Sequence, residues 1–167
     1  MRVVRSVGDA ETLAACFEEL ARLLWRQRHL LDALRFKLEV EWLLLDSGRV
    51  RWLEVATNEI VDVLRCVQAE ELTMAARPLR ELGTRLGLGA DARLADVVAA
   101  APEPWNEIVA DHHIALTAGL AGVEALALAN DGLLRTELSV TRTLLDAAMA
   151  ERATRSTAGG PRTTAPA

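Results

Sequence analysis

Tyrosine is absent from this chain, phenylalanine occurs twice, and aromatic residues together make up 4% of the 167 positions. With so few aromatics and only scattered β-branched residues, little favours a sheet; the Leu-, Ala-, Arg- and Glu-rich remainder favours helix. The length suits one domain with a core of ordinary size. No positive excess exists either: the formal charge is -5 and the basic residues are dispersed. A pI near 5.3 excludes an electrostatic footprint for nucleic acid. The longest uncharged stretch, Ile114 to Val123, falls far short of the roughly 20 residues that span a bilayer, so membrane insertion is not expected. Met1 to Asp9 shows neither an apolar stretch of secretory length nor a small-residue cleavage pattern, and the chain reads as cytoplasmic.

Signatures of catalysis are also missing. Cys16 and Cys66 have neither Cys-x-x-Cys spacing nor a nearby histidine, and both read as buried, inert thiols. Neither His-Glu-x-x-His nor paired Glu-x-x-His occurs, and Gly83, Gly87 and Gly89 lack the Lys-Ser/Thr of a phosphate loop. In Asp111-His112-His113, His112 falls on or near a packing face and His113 about 100° away, a structural or surface pair rather than metal ligands. Glu18-Glu19, Glu39 with Glu41, and Glu70-Glu71 diverge around a helix and read as solvated faces. No catalytic residue, cofactor or metal site is expected, and the protein reads as non-enzymatic.

What the chain does have is helix without interruption. From Asp9 to Asp46, and again from Arg49 to Arg77, there is no Gly or Pro, and Ser47-Gly48 sits between the two stretches as a turn. Asp9 is the expected N-cap. Phe17, Leu24, Leu31, Leu38 and Leu45 recur every seven residues, with Leu13, Leu20 and Leu34 on the complementary row that Gln27 and Glu41 interrupt. Leu53, Ile60, Val67 and Met74 repeat at the same spacing, which predicts a coiled-coil-like antiparallel hairpin. Pro78 ends or kinks its second arm. Asp91 is placed to cap a short helix through Leu94, Val97 and Val98 that Pro102-Glu103-Pro104 stops. A last long helix starts at Pro104 or Trp105, with an apolar face running to Leu145 and Met149. Residues 154–167, rich in Thr, Ala, Gly and Pro, read as a disordered tail after a helical domain over 9–153. The expected fold is all-α: an elongated antiparallel bundle of three long helices and one short one.

Two features exceed what such a hairpin needs. Core filling is the ordinary fate of Trp25, Trp42, Trp52 and Trp105, yet Trp25, Phe36 and Leu43 form a second strip away from the seam. That strip must meet the last helix or another protein. Asn130 falls in the apolar stripe of the last helix, seven residues after Val123, where a polar side chain sets internal register or meets a partner.

In the order of these parts the chain resembles the FlgN-type flagellar export chaperones. The resemblance rests on Leu30-Leu31, Lys37-Leu38-Glu39 through Leu45-Asp46-Ser47-Gly48-Arg49, Arg51-Trp52-Leu53, Leu86-Gly87, and above all Asn130-Asp131-Gly132-Leu133-Leu134 continuing to Leu138, Thr141, Leu144 and Leu145. It covers about residues 13 to 149. It implies a cytosolic chaperone that holds the C-terminal helices of hook-associated proteins, prevents their premature assembly, and hands them to the flagellar export apparatus. It places client contact on Leu126, Asn130, Leu133, Leu134, Leu138 and Leu145; Trp25, Phe36 and Leu43 add a further apolar flank. The family's tyrosine-containing stretch after the last helix has no counterpart, since the chain reads Ala153-Thr154-Arg155-Ser156 there. A helical adaptor or homo-oligomeric coiled coil, using the same faces on itself, is the rival reading.

Overall fold

The computed structural model describes residues 7–73 and 76–158. Among the described residues five helices follow one another: α1 (Val7–Asp46), α2 (Leu53–Thr73), α3 (Ala76–Arg85), α4 (Leu94–Ala100) and α5 (Trp105–Ala158), with one 3-10 turn at Val50–Trp52. There is no strand among the described residues.

The turn after α1 is built as the sequence predicts. Gly48 adopts φ 65°, the left-handed conformation that glycine takes without a Cβ penalty. The Arg49 amide then donates to the Leu44 carbonyl at 2.8 Å and the Gly48 amide to Leu45 at 3.1 Å, pairing carbonyls that the helix end leaves open. Beyond it α2 runs antiparallel to α1: Lys37 bridges to Glu59 at 2.7 Å and Thr57 bonds to Glu41. α5 returns alongside α1 in α1's own direction. Phe17 stacks on Trp105 with ring centroids 5.4 Å apart, Gly119 lies against Leu31, and Asn130 reaches Leu38. The three long helices therefore run up, down and up, with α3 and α4 closing the base.

Two clusters hold them. At the base, Leu13, Phe17, Leu20 and Leu24 of α1 meet Leu82 of α3, Val97 of α4 and Val109 of α5. Nearer the hairpin tip, Leu34 and Leu38 meet Ile60, Val63, Val123 and Leu126. The seven-residue row from Phe17 to Leu45 is buried throughout, as its spacing predicts. Between the clusters, Leu30, Leu31, Val67, Leu94, His113 and Leu116 line a cavity of about 290 Å³.

Several local expectations are corrected. α1 begins at Val7, so Asp9 lies within its first turn, where a negative charge complements the helix N-terminus, rather than at the cap. α2 is described to Thr73 and α3 from Ala76, with residues 74–75 outside the described ones; Pro78 is buried within α3 rather than following the end of a helix. Met74 lies outside the described residues. Arg93, not Asp91, is the N-cap of α4, and its amide donates to the Asp96 carboxylate at 2.9 Å. Cys66 is exposed, because that half of α2 turns no described buried residue inward; Cys16 is buried. α5 continues to Ala158, past the expected start of the tail, since the first breakers are Gly159, Gly160 and Pro161. Residues 159–167 lie outside the described ones. As a helix, α5 is also long and apolar enough to cross a membrane by length and composition, although its Val109, Val123 and Asn130 face the bundle.

Gly83 permits the closest approach at the base. A Cβ there would meet the Gly89 carbonyl oxygen and, at 2.7 Å, the Ala92 Cβ. A Gly83→Ala exchange in a helix ordinarily gains roughly 1 kcal/mol. Here overpacking outweighs that gain, and denaturant melts should show a net loss of about 1–2 kcal/mol.

Candidate functional site

The nine residues proposed for partner contact divide into an inner and an outer set. Leu126 packs within the tip cluster and Leu133 is half-buried. Asn130 is only 2% exposed. Its Nδ2 donates to the Leu38 carbonyl at 3.0 Å and to Glu41 Oε2 at 2.8 Å, so in this fold the amide is engaged by α1 and is no surface contact. Leu134 is partly open, while Leu138 (70%) and Leu145 (59%) are largely exposed. Trp25, Phe36 and Leu43 are each more than half exposed. α5 does not cover that second strip, and the Trp25 ring lies T-shaped to that of His29 in its own helix, with 3.9 Å between centroids. Trp52 is likewise half exposed, so core filling does not describe it or Trp25.

The reason for the division is one of length. α1 stops at Asp46, level with the stretch of α5 just past Asn130, whereas α5 runs on to Ala158. Every residue from Leu134 to Arg152 is exposed. The apolar stripe nonetheless continues through Leu138, Val140, Leu144, Leu145 and Met149. A helix face of this kind, unpaired in water, is the form in which amphipathic helices are recognised in grooves and zippers.

At the root of the overhang lies a buried polar node that reading the sequence missed. Glu41, taken for a solvated acid, is 5% exposed. Thr57 Oγ1 of α2 donates to its Oε1 at 2.8 Å, and Asn130 of α5 holds its Oε2. The node thus ties three helices at one level, and Asn130 Oδ1 is left buried without a hydrogen bond. A signal was present: Glu41 and Asn130 are polar residues at seam positions of two helices, which have nowhere to turn but toward each other. Glu18 and Glu19 are exposed as expected, and the side chains of Glu70 and Glu71 lie outside the described ones.

Lower down, Arg28 bridges to Asp111 at 2.8 Å and lies 3.4 Å from His112 Nδ1. Burial pushes the His112 imidazole below its ordinary range; the Arg28 guanidinium acts the same way, and Asp111 opposes both. His113 instead lines the cavity between the two clusters. Burial pushes the Cys16 thiol up, with Glu81 adding to it. No grouping of three or more potential metal ligands occurs among the described residues.

The described chain is an all-helical bundle that extends an apolar helix face beyond its own core. Comparison with known families makes this specific: residues 16–164 match the FlgN protein family. The chain therefore belongs to that family, the flagellar export chaperones. No curated protein and no solved structure matches it.

Proposed function

We propose that this protein is a cytosolic, non-enzymatic chaperone that lays the overhanging half of α5 against the C-terminal helices of hook-associated proteins, preventing premature assembly until the flagellar export apparatus takes them. The observation that carries this is the apolar stripe continuing along α5 past the end of α1. Clients that polymerise through amphipathic terminal helices need those faces covered, and a preformed helix covers them without first being ordered. The strip of Trp25, Phe36 and Leu43 offers a second apolar flank on α1.

Leu134 stands where the overhang leaves the bundle. Replacing it by Asp sets a charge into the proposed contact, and titration of purified hook-associated protein should show affinity reduced at least about tenfold, with the melting temperature unchanged. Equal affinity in the Leu134→Asp variant would remove this surface from the mechanism.

A further inference from the structure

On the overhang, Leu134, Leu138, Thr141, Leu145 and Ala148 follow one another at alternating four- and three-residue steps, the spacing of a coiled-coil seam. This row lies one residue, about 100°, round the helix from the row that meets α1. A second helix can therefore approach it without displacing α1 or α2.

The charges beside the row identify what that second helix is. With Leu138 and Leu145 at the a positions, Glu137 takes position g and Arg142 the e position of the next heptad. In a parallel, in-register pair of identical helices, each g residue faces the partner's e residue five positions on. Glu137 then faces Arg142 of the other copy, twice by symmetry, and Leu144 faces Met149 in the same relation. An antiparallel pairing sets e against e and g against g, which loses this match. Both Glu137 and Arg142 are exposed in the single chain.

We infer that the overhanging half of α5 pairs with the same segment of a second copy as a parallel two-stranded coiled coil. The pairing occupies the stripe assigned to the client, so a resting dimer shields it from water and yields to the client on capture. That consequence rests on the proposed function; the dimer itself does not.

Sedimentation equilibrium at low salt tests the pairing. The wild-type chain should show a concentration-dependent monomer–dimer equilibrium. Glu137→Arg or Arg142→Glu alone should weaken it about tenfold, since each reversal sets two like-charged pairs across the interface. The Glu137→Arg/Arg142→Glu double variant should return to within about twofold of wild type. In a Cys66→Ser background, Leu145→Cys should form a disulfide-linked dimer on mild oxidation, because equivalent a positions face each other only in the parallel register. A monomer at every concentration overturns the inference; so does a dimer indifferent to both single reversals, or one that the double variant fails to restore. If the charge variants behave as expected but client leaves the dimer intact, the pairing stands and the shared client face does not.

Discussion

Phe17→Ala should lower stability by about 3–5 kcal/mol, moving the thermal midpoint down by about 10 °C for a domain of this size. Phe17 has no exposed surface and lies in the base cluster with residues from α3, α4 and α5. Its ring stacks on Trp105 with 10° between planes, so truncation forfeits both the transfer of a whole aromatic ring and a directional ring contact. The surrounding helices are fixed by several other buried residues, which limits how far the cavity can collapse. Thermal melts followed at 222 nm measure the loss. A deficit under about 1 kcal/mol would mean that the base is not held as described.

The second large effect concerns the polar node. Asn130→Leu removes the donor from Glu41 Oε2 and leaves a carboxylate that is 5% exposed with Thr57 alone. Hydrogen bonds to charged groups contribute roughly 1.5–3 kcal/mol. Losing the orphaned Oδ1 offsets part of that, so a net loss of about 2 kcal/mol is expected. The sharper expectation is recovery. Glu41→Leu/Thr57→Val/Asn130→Leu together replace the node by an apolar layer, and such replacements are commonly neutral or stabilising. Stability in the triple variant should equal or exceed that of wild type, while register specificity between α5 and α1 falls. Hydrogen exchange across residues 123–137 would show the latter as reduced protection. If the triple variant is no more stable than Asn130→Leu alone, the node's burial is not the cause of the deficit.

Much of the architecture was legible because one spacing dominates it. The row from Phe17 to Leu45, the Ser47-Gly48 turn and the start of α5 at Trp105 each follow from helical periodicity or a breaker, and all appear where they were read. What escaped is what periodicity does not encode. Glu41 looked solvated because acids usually are, and only Thr57 and Asn130, distant in sequence, make its burial tenable. Pro78 looked like a terminator, yet it lies within the described helix α3. For the candidate site, composition revealed surplus apolar surface but not its division. Leu126 and Asn130 face inward while Leu138 and Leu145 face out, because α1 ends where it does, and that is a comparison between two helices rather than a property of either.

The length of α5 beyond its last anchor makes it a lever. From Asn130 to Ala158 the axis extends about 42 Å. A pivot of about 10° at the anchor, well within the scatter of helix crossing angles, sweeps the far end through about 7 Å. Small adjustments of side chains at the fulcrum thus translate into a wide arc at the tip without unfolding a single turn.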